Sequence, residues 1–139
     1  MQTEEISLPG NMILRTLAMP ADTNPNGDIF GGWIMAQMDI AGGIMAKEIA
    51  NGRVATVAVE SMKFMKPVKV GDVVCCYGKL MSIGTTSIRI HIQAWVKPIL
   101  RGERGDRAHH FQVTEADFIY VAIDELGKKR MIGTPNLPE

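Results

Sequence analysis

An excess of charge of either sign is missing from this chain: fifteen basic and fifteen acidic residues cancel to a formal net charge of zero. Nucleic acid and anionic membrane surfaces call for a positive surplus, so neither is expected as a partner. Cysteine is nearly absent too, and the two present, Cys75 and Cys76, are adjacent. Adjacent side chains on a strand point to opposite faces, which argues against a disulfide, and no second cysteine pair offers a metal site. Two buried thiols fit a reducing compartment, and the cytoplasm is the expected location. His91, His109 and His110 lack metal-ligand spacing and read as surface or edge residues. No apolar run is long enough to span a bilayer, and Lys47-Glu48 closes the longest. The acidic start, Met1 to Glu5, leads into no signal-like apolar core, so no leader is expected.

What is there suits one domain, since 139 residues can bury a real core. Residues 1–11 read as a flexible lead, 12–131 as the domain and 132–139 as a polar tail. Met12 to Met19 fits a short strand that Pro20 ends. The run ADTNPNGD, from Ala21 to Asp28, is rich in turn residues. A helix is predicted from Gly31-Gly32 to about Ala50, with Ile34, Met38, Ala41, Met45 and Ile49 on one face and Asn51-Gly52 as its stop. The period then changes to two. Strands are predicted at Val54–Phe64, Val73–Met81, 86–97 and His109–Ile123. In the third of these, Ile88, Ile90, Ile92, Ala94 and Val96 share one face, while Arg89, His91, Gln93, Trp95 and Lys97 share the other.

The expected fold is therefore α+β: one long central helix against an antiparallel sheet of about five strands. One helix covers only one face of such a sheet, and this helix is apolar nearly all round. Both features predict a dimer or larger assembly.

The helix also carries the chemistry. Asp39 stands alone in the stretch GGWIMAQMDIAGGIMA, from Gly31 to Ala46, with Gln37 as the other polar side chain of note. An acid among Met35, Met38 and Ile40 either neutralises, finds a partner, or serves a reaction as base or nucleophile. Gly42 and Gly43 lie one turn further on and clear space beside its carboxyl group. At the helix start, Gly31 and Gly32 present unpaired N–H groups at the positive end of the helix dipole, as an oxyanion hole requires. Eight residues separate Gly31 from Asp39, roughly 12 Å of helical rise. One carbonyl cannot touch both within a chain, so cooperation between them requires two subunits.

The segment TLAMPADTNPNGDIFGGWIMAQMDIAGGIMAKEIA, from Thr16, resembles hotdog-fold acyl-CoA thioesterases of the YciA-like bacterial branch. The resemblance continues through VATVAVESMKFMKPVKVGDVVCCYGKL, from Val54, and GTTSIRIHIQAWVK, from Gly84. It implies a helix wrapped by a curved sheet, dimers with a continuous sheet, and further assembly into hexamers as trimers of dimers. It implies Asp39 as the catalytic carboxylate, activating water or attacking a thioester carbonyl that Gly31 and Gly32 of the other subunit polarise. Asn24 matches a family position near the reacting group. The turn Gly84, Thr85, Thr86 and Ser87 matches a segment near the CoA nucleotide. Relatives often carry Arg where this chain has Thr85, which turns attention for the phosphates to Lys66, Arg89 or Arg53. No metal or redox cofactor is implied, CoA being part of the substrate.

Plainer readings stand beside these. Asp39 could pair with a core group, Gly31-Gly32 could be a tight helix start, and Asn24 and Asp28 could be turn or capping residues. Glu60, Glu115 and Asp117 read as strand acids facing solvent, the Arg101-to-Arg107 cluster as a solvated hairpin tip, and the helix methionines as core or acyl-tunnel lining. The rival functions are a non-catalytic acyl-CoA-binding module and a hotdog dehydratase. The first can lack the acid that Asp39 supplies; the second usually relies on a His, and none lies near this helix.

Overall fold

The computed structural model describes residues 10–98 and 110–138. The Arg101-to-Arg107 cluster, His109 and nearly all of the N-terminal lead lie outside the described residues. In chain order the elements are β1 (Asn11–Leu17), a 3-10 turn (Pro20–Asp22), α1 (Gly31–Ala50), β2 (Val54–Phe64), β3 (Val73–Ile83), β4 (Ser87–Lys97) and β5 (Phe111–Ala122). The strands form one antiparallel sheet in the order β1-β3-β4-β5-β2. Leaving α1, β2 thus crosses to the far edge and pairs with β5, the last strand.

Five strands span roughly 19 Å at the usual spacing, about twice the width of a helix. Yet α1 touches all five. The sheet therefore curls around it, which is the α+β arrangement expected from the sequence. Alternation in β4 sets the inner face: Ile88, Ile90, Ile92, Ala94 and Val96 are wholly buried, and Arg89, His91, Gln93, Trp95 and Lys97 face outward, half-buried. Ala116, Phe118 and Tyr120 of β5 and Ile34, Met38, Ala41, Met45 and Ile49 of α1 complete the core. Met38 and Met45 are thus core residues, whereas Met35 lies at the surface. Cys75 and Cys76 are free and point to opposite faces, Cys76 into the main core and Cys75 into an outer cluster with Val73 and Tyr77. Burial pushes the Cys76 thiol up to about 12.

The end of α1 is closed more thoroughly than its sequence suggests. Asn51 adopts a left-handed conformation, φ 53°. The last four carbonyls of a helix lack internal partners, and here each has one. Lys47 accepts from the Gly52 N–H, Glu48 from the Asn51 N–H, Ile49 from the Asn136 N–H and Ala50 from the Arg130 guanidinium. The segment read as a polar tail lies along this end, and its first residue, Ile132, is buried in the core. No described helix is long and apolar enough to cross a membrane.

Two surfaces of the protomer are unpartnered. On α1, Ile40 and Ile44 are exposed, and β2 at the sheet edge exposes Val57, Val59 and Phe64. The expected strands differ from the observed ones at their ends. β1 stops at Leu17, because the Ala18 N–H turns to the Asp72 carbonyl, and β3 runs on to Ile83 through its pairing with β4.

Candidate active site

Asp39 projects from the middle of α1 toward the far edge of the sheet. Its Oδ1 accepts hydrogen bonds from the Thr56 hydroxyl at 2.7 Å and the Tyr120 hydroxyl at 3.0 Å. Thr56 on β2 and Tyr120 on β5 are direct cross-strand partners, and directly opposed side chains share a face of the sheet. The register of β2 slips between Thr56 and Ala58, the kind of bulge that re-aims side chains. Oδ2 accepts no hydrogen bond among the described residues and is left to the open side. Asp39 is half-buried; Tyr120 is 1% exposed. Burial pushes the Tyr120 phenol well above its ordinary range, and the charge and hydrogen bond of Asp39 push it further. It therefore acts as a donor.

The glycine after Asp39 explains how a tyrosine reaches a helix so closely. A Cβ at Gly42 would lie 2.1 Å from the Tyr120 hydroxyl, so no larger residue fits. Gly43 meets only the ring edge, at 4.0 Å. The clearing beside Asp39 was legible in the sequence; what occupies part of it was not.

At the other end of the accessible helix face, Phe30 precedes Gly31 and contributes no side-chain cap. The Gly31 and Gly32 N–H groups have no acceptor among the described residues. A Cβ at Gly32 would meet nothing within 4 Å, whereas one at Gly31 would press on the Phe64 ring at 3.3 Å. A cleft of about 330 Å³ opens here, lined by Ile29, Gly31, Ile34, Phe64 and residues 65–68. The helix is continuous from Gly31 to Asp39, so the donors and the acid of one chain stay too far apart for one small group.

Asn24 holds the loop before α1. Its Oδ1 accepts from the Asn26 and Asp28 N–H groups at 2.9 and 3.1 Å, and Asp28 pairs with Lys69. The Gly84-to-Ser87 turn is closed by the Gly84 N–H on the Ser87 carbonyl, and Thr85 and Thr86 carbonyls accept from Ile132 and Ala122. Lys66 rests over the Phe111 ring, 5.2 Å from its centroid, at the cleft. Arg53 donates to the Glu125 carbonyl at 3.1 Å.

The outer face of the sheet departs from expectation. Glu60, Glu115 and Asp117 are not simply solvated: Arg89 Nη1 lies 2.8 Å from both Glu60 Oε1 and Asp117 Oδ2. His91 stands between Asp117 and Glu115, at 2.6 and 2.9 Å. Burial works to raise the Asp117 carboxyl, but His91 and Arg89 outweigh it and hold it below the ordinary carboxylate range. This network forms because β5 lies between β4 and β2, an order invisible in the sequence. Thr56 and Tyr120 escaped sequence reasoning for the same reason. Tyr120 did leave a signal: it falls in the inward set of β5, and a buried phenol needs a partner.

A long helix wrapped by a five-stranded antiparallel sheet, with one hydrogen-bonded carboxylate at mid-helix, defines a hotdog-fold protein. The chain belongs to the thioesterase superfamily, whose family model matches residues 26–102. It is 59% identical over 130 residues to the acyl-CoA thioester hydrolase YciA of Salmonella typhimurium, covering 94% of this chain and 96% of the relative. Among solved structures it resembles HI0827, described as a hexameric broad-specificity acyl-coenzyme A thioesterase, with TM-score 0.84 and 56% identity over 91% of this chain and 84% of that one. It also resembles the hexameric thioesterase y2039 from Yersinia pestis, with TM-score 0.81 and 58% identity over 89% and 97% of the two chains.

Proposed function

We propose that this chain hydrolyses acyl-CoA thioesters to free CoA and a carboxylic acid, at sites shared between two subunits. The observation that carries this reading is the Asp39 carboxylate, held at Oδ1 by two hydroxyls with Oδ2 open, in a chain closely similar to acyl-CoA thioester hydrolases. Asp39 either takes a proton from water as it adds to the thioester carbonyl or attacks that carbon itself. In both routes the carbonyl oxygen becomes an oxyanion. The free Gly31 and Gly32 N–H groups of the second subunit receive it, aided by the helix dipole. Collapse of the intermediate expels the CoA thiolate, which takes up a proton; where Asp39 itself attacked, the acyl group stays on it as a mixed anhydride, which water then hydrolyses to the carboxylic acid and the free carboxylate. Nothing in this sequence of steps calls for a metal or a redox cofactor.

Support for sharing comes from the separation of Gly31 and Asp39 along one helix and from the exposed Ile40, Ile44, Val57 and Val59. A second copy that covers these side chains would carry its own helix start toward the first copy's acid. The thioesterases it resembles are hexameric, and the assembly proposed for this chain is a trimer of such dimers. Asn24, with Oδ1 committed to its loop, has its amide nitrogen to offer toward the reacting group. For the CoA phosphates Lys66 is the strongest of the basic candidates, since it stands at the cleft and forms no ion pair among the described residues, whereas Arg53 is turned to the Glu125 carbonyl. Arg89 is already shared by Glu60 and Asp117, and the Gly84-to-Ser87 turn would lie beside the nucleotide. Free, buried thiols agree with a cytoplasmic protein.

The test is free-thiol release from a panel of acyl-CoAs by the wild type and Asp39→Asn. The wild type is expected to release thiol, and the variant to keep its assembly while losing about 100-fold or more in turnover. Near-normal turnover by the intact variant would remove Asp39 from the mechanism. Binding of acyl-CoA with no release by the wild type would identify a binding module instead.

A further inference from the structure

Thr56 and Tyr120 both donate to the same oxygen of Asp39, and this asymmetry has a chemical meaning. A carboxylate turns about its Cβ–Cγ bond, and a half-buried one with a single partner samples several orientations. Two donors converging on Oδ1 from adjacent strands leave one orientation, with Oδ2 turned outward. The two donors differ in kind. Thr56 is exposed in the protomer, whereas Tyr120 is enclosed by the core, its ring stacked on Phe118 with centroids 6.4 Å apart. Besides Oδ1 its hydroxyl meets the Asp39 backbone carbonyl at 3.1 Å and the Thr56 hydroxyl.

We infer that Tyr120 is a positioning residue for hydrolysis, which fixes Oδ1 of Asp39 from below the helix, presents Oδ2 as the reactive oxygen, and depends on the missing side chain at Gly42. The inference rests on the reading of Asp39 as the catalytic carboxylate. Tyr120 itself never touches substrate, because it reaches the site only from inside the core. Its contribution belongs to the reacting acid, so it enters the rate of the chemical step and not substrate affinity. Gly42 is its counterpart. A methyl group there would stand 2.1 Å from the hydroxyl oxygen and 2.9 and 3.0 Å from two ring carbons, so the whole end of the tyrosine ring uses the space that Gly42 leaves.

Two variants, Tyr120→Phe and Gly42→Ala, test this with steady-state thiol release, alongside Asp39→Asn and sedimentation of each assembly. Tyr120→Phe is expected to lower kcat about tenfold with KM unchanged and the assembly intact, the loss of one hydrogen bond to a charged group. Gly42→Ala is expected to lower kcat at least as much, because its methyl group pushes both the hydroxyl and the end of the ring away from Asp39. Wild-type kcat in Tyr120→Phe would overturn the inference, as would a loss carried by KM or by dissociation, which marks a structural role. If Asp39→Asn is inactive while Tyr120→Phe is fully active, only the positioning role fails. If Asp39→Asn is itself active, the catalytic reading fails and takes the inference with it.

Discussion

Thr56 reaches Asp39 with a hydroxyl and needs nothing else of its side chain, so its substitutions separate hydrogen bonding from shape. Thr56→Val keeps the β-branched form that suits a strand and removes the donor. It is expected to lower kcat about tenfold in the thiol-release assay, while Thr56→Ser stays within about twofold of wild type. Equal losses in both would mean that the methyl group, and hence packing, is what matters. The residues of the site were unequally visible in the sequence. Asp39 was legible because it is a lone charge in an apolar helix, and Gly31-Gly32 because bare N–H groups at a helix start have an evident use. Thr56 and Tyr120 were not, because a hydroxyl in an alternating strand has many innocent explanations until the strand order is known. Arg89 illustrates the converse. Offered by the sequence as a contact for the CoA phosphates, it is engaged on the outer face of β4 by cross-strand carboxylates from β2 and β5.

Among the elements, α1 and the strands were readable because each carries its own period and its own stops. Gly31-Gly32 and Asn51-Gly52 bracket the helix, and β2 spans Val54–Phe64 as the alternation predicted. The support beneath the end of α1 was not readable, since Arg130 and Asn136 arrive from far along the chain. Arg130 joins three carbonyls, those of Ala50, Ile123 and Met131, at 2.9, 3.1 and 3.4 Å. Arg130→Leu keeps most of the aliphatic contact and strips these bonds. It is expected to lower stability by about 2 kcal/mol, read as a reduced urea midpoint at unchanged slope and fixed protein concentration. Turnover at low temperature should persist, because Arg130 braces the end of α1 away from Asp39. An unchanged midpoint would mean that the Asn136 and Gly52 contacts hold the helix end unaided.

For the whole molecule, a shared site makes a prediction that a self-contained one does not. Gly32→Pro removes one N–H from the helix start, where proline is tolerated and no side chain crowds it. Co-expressed with Asp39→Asn, it is expected to recover about a quarter of wild-type activity, because half of the dimers are mixed and each mixed dimer keeps one unaltered site. Each variant alone should stay nearly inactive. No recovery in verified mixed assemblies would assign donors and acid to the same chain. The path of β2 has a further bearing on the life of the protein. Because β2 pairs with the last strand and not with its neighbours in sequence, Thr56 and Tyr120 meet only after β5 has been synthesised and has docked. The helix and the β3–β4 hairpin can form earlier from local contacts. A nascent chain therefore carries Asp39 for most of its synthesis without the partners that orient it, and hydrolytic competence arrives as one of the final events of folding.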